Sequence, residues 1–231
     1  MAGYGSGAES AEMLEILLDG LPSAQRVALG YADRGTNRLA LGLFALDAHC
    51  ARLLRQSREP MLAQMRLAWW RETLAQAPEA RPAGDPLLEL LARWAGEEPA
   101  LVGMVEGWEH LLGAAPLGMA DFARFGDGRA GVFAALARLL GMPEAGDHAL
   151  RAGRRWALAD LANHLADGQE RQTVLELAAG MAADRIPMPR RLRWLTVLDG
   201  LARRSLTRCG APLLADRMSA LVALRLGMIG R

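Results

Sequence analysis

The sequence predicts an all-α protein that folds as one single-domain helical bundle. Leu occurs 41 times, whereas Val and Ile together occur only 10 times. Strands favour the β-branched residues that are scarce here, and helices favour the abundant Leu, Ala, Arg and Glu. Apolar residues recur with helical spacing between Gly and Pro residues, and no convincing run alternates with a period of two. The 231 residues are enough for one domain with a full core.

Eleven helices follow from this periodicity. Their approximate bounds are 10–19, 23–33, 37–57, 60–76, 86–95, 99–112, 129–140, 146–167, 170–183, 189–208 and 212–228. Asp85-Pro86 is typical of an N-cap followed by proline at the first helical position, and Glu98-Pro99 resembles it. Residues 1–12 are expected to form a flexible lead, and residues 13–231 one domain, because strong helices flank the loop at 77–86.

Composition excludes several classes of function. A net charge of +1 gives no case for nucleic acid as the main partner. Two cysteines, Cys50 and Cys209, make neither a disulfide framework nor a metal site. The N-terminal residues lack the basic and apolar regions of a secretory signal, and no stretch approaches the roughly 18 apolar residues of a membrane span. We expect a cytoplasmic, soluble protein that at most lies peripherally on the inner face of the membrane.

The helix at 60–76 carries an arginine in its apolar face. On a helical projection the apolar residues fill an arc of about 200°, and Arg66 lies near its centre. They are Leu62, Ala63, Met65, Leu67, Trp69, Trp70 and Leu74. A buried charge needs a partner, so we expect Arg66 to bind either an anionic ligand or an internal carboxylate such as Asp47. Asp47 has the alternative of capping or pairing locally.

Three further segments have open interpretations. Asp160, Asn163, His164 and Asp167 share one arc with Trp156, which predicts either a solvated polar face or a divalent-cation site. The basic run at 185–208 is a solvated face or a surface for acidic headgroups or a diphosphate. The small residues at 128–141 allow either close helix packing or room for a slender apolar ligand.

Five stretches, in order and spread over about residues 21–226, resemble the squalene/phytoene synthase family. They are LALGLFALDAHCARLLRQSREP, MRLAWWRETL, RAGVFAALARLLG, GRRWALADLANHLADG and ADRIPMP. The resemblance implies the all-α isoprenoid synthase fold. In active members, two aspartate-rich motifs on facing helices hold Mg²⁺, which binds the substrate diphosphates and helps the allylic carbon to ionise.

Carrying the motifs over shows a departure from the family pattern. The first aspartate-rich motif should fall near Leu54, Arg55 and Arg58, where no carboxylate stands. The resemblance makes Asp160, His164 and Asp167 the candidate metal ligands, and Arg66, Arg55 and Arg185 the candidate diphosphate-binding residues. In this fold Arg66 is expected to point inward, where it either pairs with Asp160 or Asp47 or binds a prenyl diphosphate directly. Its candidate cavity residues are Trp69, Trp70, Gly131, Phe133, Ala134 and Trp156.

Three functions are compatible with these residues. The first is a divergent member with lost or much reduced catalysis that needs no cofactor and binds an isoprenoid lipid or a partner protein. The second is an active Mg²⁺-dependent prenyltransferase that condenses two prenyl diphosphates, with Asp47, Asp160 and Asp167 as a reduced metal set. The third is a scaffold or assembly factor that acts through its surface. A long apolar cavity ending at Arg66 and Asp160 would favour a ligand, and a filled core would favour the scaffold.

Overall fold

A computed structural model describes residues 5–57, 59–181 and 183–229, so Arg58 and the chain ends lie outside it. Its residues form eleven α-helices joined by loops and 3-10 turns, with no strand in these ranges. The helices are α1 Gly5–Asp19, α2 Ser23–Leu29, α3 Arg34–Gln56, α4 Pro60–Leu74, α5 Pro86–Leu91, α6 Glu98–Glu109, α7 Met119–Leu139, α8 Gly146–His164, α9 Gly168–Ala178, α10 Arg193–Leu206 and α11 Arg217–Ile229. The all-α prediction is confirmed, and each predicted helix has a counterpart.

Helix α7 differs most from its prediction, because it begins at Met119 rather than near residue 129. Its glycines do not break the helix, but let it pack closely on α6. A Cβ atom at Gly128 would overlap the backbone of Gly103, so the two helices touch through their main chains. Helix contact of this kind overrides the weak helix propensity of glycine.

Two other helix boundaries, the end of α8 and the start of α1, differ from the predicted ones. Helix α8 ends at His164 rather than at residue 167, because Asp167 caps the next helix and accepts hydrogen bonds from the Gln169 and Glu170 amides at 2.9 Å. Helix α1 begins at Gly5, so part of the predicted flexible lead is helical. The predicted cap at Asp85 is confirmed, since its carboxylate accepts from the Leu87 and Leu88 amides.

Helices α3, α7, α8 and α10 surround an aromatic core. Each contributes one fully buried ring to this cluster: Phe44, Phe133, Trp156 and Trp194. Phe44 lies edge-on to both tryptophans with ring centroids 5.7 Å apart, and Phe133 meets Trp156 at 5.6 Å. Such pairs add about 0.5–1.5 kcal/mol each beyond the burial of their surface. Among the described helices, none is both long and apolar enough to cross a bilayer.

Candidate functional site

A buried arginine in the middle of α7 joins three helices. Phe122, Phe125, Val132 and Leu136 share the inward face of α7 with Arg129, which places its side chain in the core, 1% exposed. Its Nη2 donates to the Asp47 carboxylate of α3 at 2.5 Å and to the Asp160 carboxylate of α8 at 3.0 Å. Nη1 donates to the same Asp160 oxygen at 3.0 Å. One guanidinium therefore bridges two carboxylates on different helices.

The guanidinium in this bridge keeps its positive charge. Although burial acts to lower it, the pKa of Arg129 is raised because two carboxylates face the guanidinium. The second oxygen of Asp47 accepts from the Trp108 indole nitrogen at 2.9 Å, so both oxygens of this buried carboxylate have donors. A buried charge of this kind is tolerated only when it is paired and hydrogen-bonded.

Aromatic rings enclose the guanidinium on its remaining sides. Its central carbon lies 4.0 Å from the centroid of a Trp156 ring, 5.1 Å from Phe125 and 5.3 Å from Trp108. Cation–π contacts of desolvated arginines stabilise by about 2 kcal/mol. Arg129 thus contacts two carboxylates and three aromatic rings. Its guanidinium occupies the space between Asp47 and Asp160.

The hypothesis that Arg66 points inward to Asp47 or Asp160 is wrong. Arg66 is exposed, and Arg129 makes both of those contacts. The apolar arc of α4 is wider than the face that packs on α3 and α6, which consists of Ala63, Leu67, Trp70 and Leu74. The rest of the arc, Leu62, Met65 and Trp69, is exposed around Arg66, as is the neighbouring Met61. The local interpretation of Asp47 is also wrong, because its partners come from α6 and α7.

Most of the predicted cavity residues are core residues. Phe133, Ala134 and Trp156 are buried, and Trp70 is buried against the His49 ring at 4.8 Å. Trp69 is 45% exposed. Gly131 is half-buried, with no atom within 4 Å of an added Cβ. At the positions where the resemblance expected a cavity wall, rings therefore pack against neighbouring rings.

The three predicted metal ligands have other partners. Asp160 binds Arg129, the His164 Nδ1 lies 2.8 Å from the Asp160 carbonyl oxygen, and Asp167 caps α9. Within the described ranges, no group of three or more His, Cys, Asp and Glu side chains is arranged to hold a metal ion. Magnesium binding stays a prediction.

The two other candidate arginines lie on the surface. Arg55 is exposed near the end of α3. Arg185 is also exposed and lines an open cleft of about 640 Å³ between α10 and α11. Three other arginines, Arg203, Arg204 and Arg225, line the same cleft. The basic segment predicted from the sequence therefore forms part of a concave site rather than only a solvated face.

Sequence reasoning missed Arg129 and Trp108, although a signal for Arg129 was present. The arginine follows Phe122 and Phe125 by seven and four positions and precedes Val132 by three, which is the spacing of one helix face. Trp108 gives no comparable signal, because only the tertiary structure brings its indole nitrogen to Asp47.

Comparisons with protein-family models, curated proteins and solved structures found no significant match to the chain.

Proposed function

We propose that this chain is a non-catalytic relative of the squalene/phytoene synthases, with their isoprenoid synthase type of helical fold, which binds a lipid or a protein without prenyl transfer. The observation that carries the proposal is the Arg129 guanidinium between Asp47 and Asp160. In the family mechanism, carboxylates on facing helices serve magnesium. Here the carboxylates of Asp47 on α3 and Asp160 on α8 bind the guanidinium of Arg129 on α7.

This substitution of a side chain for a metal opposes the chemistry of prenyl transfer. Mg²⁺ requires near-octahedral oxygen ligands and accelerates ionisation by neutralising the leaving diphosphate. To reach Asp47, the ion would have to displace a buried guanidinium and leave that cation without its partners, which is strongly unfavourable. Aromatic rings of Trp108, Phe125 and Trp156 also pack around Arg129, so the bundle interior at this point is filled by side chains.

A scaffold that acts through its surface is the second candidate function, and the outer face of α4 supports it. Met61, Leu62, Met65 and Trp69 are all exposed on one helix, with Arg66 among them. Contiguous exposed apolar residues beside polar ones are typical of protein or membrane contacts, and Trp, Met and Arg are enriched in such interfaces. This face supports the scaffold interpretation, in which the protein acts through its surface.

Diphosphate release is the direct test of the proposed absence of turnover. The protein would be incubated with farnesyl or geranylgeranyl diphosphate in the presence of Mg²⁺ or Mn²⁺, and in parallel with a chelator. We expect release no faster than in the buffer control, from protein whose fold is verified by circular dichroism. Metal-dependent release that is lost in Asp160→Asn, with the folded state retained, would show instead that the active-prenyltransferase alternative is correct.

A further inference from the structure

The cleft between α10 and α11 has the composition of a binding site for an amphiphilic anion. Four arginines, Arg185, Arg203, Arg204 and Arg225, line it together with the apolar side chains of Ile186, Val222 and Leu226. Its volume of about 640 Å³ lies within the range of small-molecule sites. Charged and apolar groups share one concavity, so a ligand that fits both must carry an anionic group on an apolar chain.

The shape of the cleft is fixed by close helix packing at its floor. An added Cβ atom at Gly200 of α10 would overlap the Leu226 side chain of α11, so the two helices are in direct contact there. Near the rim, Arg204 binds the Asp216 carboxylate at 3.0 Å and so holds the segment before α11 to α10. The concavity is therefore built by tertiary contacts of the folded chain.

Two of the four cleft arginines remain available to a ligand. Asp199 is the acidic residue in the lining, and Arg155 neutralises it from the protein interior at 2.5 Å. Arg185 and Arg225 are exposed, and neither has a hydrogen bond or ion pair with another residue in the described part of the chain. These two guanidinium groups therefore provide donors that no acceptor among the described residues satisfies.

We propose that the cleft binds a phosphate or diphosphate group carried on an apolar chain, with Arg185 and Arg225 on the phosphate oxygens and Val222 and Leu226 against the chain. Guanidinium groups match phosphate oxygens in charge and in fork geometry, and such bonds are stronger than neutral ones. The inference rests on the binding function proposed above and gives it a ligand class. The same chemistry belongs to a soluble prenyl diphosphate and to a phosphate-bearing lipid headgroup in a membrane.

Titration calorimetry with the metal chelated tests the site with defined probes. Farnesyl diphosphate should bind more tightly than inorganic diphosphate or farnesol, because only the first occupies both the basic and the apolar parts. The double variant R185Q/R225Q should bind it at least about tenfold more weakly, since two charge-assisted contacts are lost. The matched control R93Q/R124Q removes the same charge from two exposed arginines outside the cleft lining, and should bind like the unmodified protein.

Vesicle co-sedimentation distinguishes the two sources. Binding to vesicles that contain phosphatidic acid, but not to phosphatidylcholine vesicles, would identify a lipid headgroup if it is lost in R185Q/R225Q and farnesyl diphosphate in solution does not bind. Binding of neither probe overturns the proposal, as does equal binding by the unmodified protein and R185Q/R225Q, or an equal loss in R93Q/R124Q. Diphosphate release in the separate turnover assay would refute the non-catalytic function and leave the cleft untouched.

Discussion

Replacing Arg129 with methionine should destabilise the protein by about 3–5 kcal/mol, because the substitution leaves a buried carboxylate without its cation. Asp47 bears most of this cost, since its side chain is only 4% exposed, whereas that of Asp160 is 16% exposed and is reached by water. A loss of this size is a large fraction of the roughly 5–15 kcal/mol that separates most folded domains from their unfolded state.

Methionine removes the charge but keeps the apolar part of the packing. Its unbranched side chain ends near the position of the arginine Nε and makes favourable sulfur–aromatic contacts with the rings around it. The lost stability should then come from the unpaired carboxylate, the missing cation–π contacts and the space that the guanidinium leaves. Substituting Asp47 with asparagine in the same protein should then recover at least about 2 kcal/mol, because the two residues are coupled.

Urea unfolding followed by circular dichroism measures these free energies, and Arg138 provides the matched control. Arg138 also donates two hydrogen bonds to one carboxylate, with its Nε and Nη2 at 2.5 Å and 2.6 Å from the Glu97 oxygens, but its side chain is 49% exposed. Arg138→Met should cost less than about 1 kcal/mol, as surface ion pairs do. Equal losses in Arg129→Met and Arg138→Met would refute the reasoning that burial gives the internal pair its weight.

Three further predictions test other parts of the structure. Burial raises the pKa of Asp199 from 3.8 to about 6, so the folded state binds this proton more tightly than the unfolded state does, and stability falls as the pH rises through this range. Relative to Asp199→Asn, the unmodified protein should therefore lose about 2 kcal/mol of unfolding free energy between about pH 4 and pH 7, measured by urea unfolding at each pH. Gly153→Ala should cost about 1–3 kcal/mol, because the new methyl group would overlap the Phe133 ring, and a thermal unfolding midpoint that stays unchanged would contradict this packing. Trp70→Ala should cost about 3–5 kcal/mol and the exposed Trp69→Ala far less, and similar losses in denaturant titrations would show that the inward face of α4 is misassigned.

Helix positions were predictable from the sequence because periodicity, caps and turns act locally. At the start of α5, the Asp85 carboxylate accepts hydrogen bonds from the free amides of the first turn. Pro86 follows at the first helical position, where no amide proton is needed, and the structure confirms both roles. The start of α7 was not predictable in this way. Its glycines lower helix propensity, and their compensation comes from a contact with α6 that only the tertiary structure supplies.

The sequence analysis predicted an internal arginine paired with a carboxylate, but it chose the wrong arginine. The sequence indicated that a cation would meet Asp47 or Asp160 inside the bundle, and assigned this role to Arg66 on the basis of a wide apolar arc. An apolar arc identifies residues that favour burial, yet it does not say how much of the helix surface a neighbour covers. On α4 the neighbours cover one stripe, and on α7 they cover Arg129 on all sides.

The proposed location of the anion site depends on which arginines already have a carboxylate partner within the protein. Arg129 and Arg155 are buried and paired with aspartates, so their charge stabilises the fold and is unavailable to a ligand. An anion that enters from solvent meets exposed guanidinium groups first, and the cost of binding is lowest where those groups converge without protein acceptors. Among the residues that the structure describes, Arg185 and Arg225 meet this condition in one cleft, beside an apolar wall that a headgroup without a chain would leave unused.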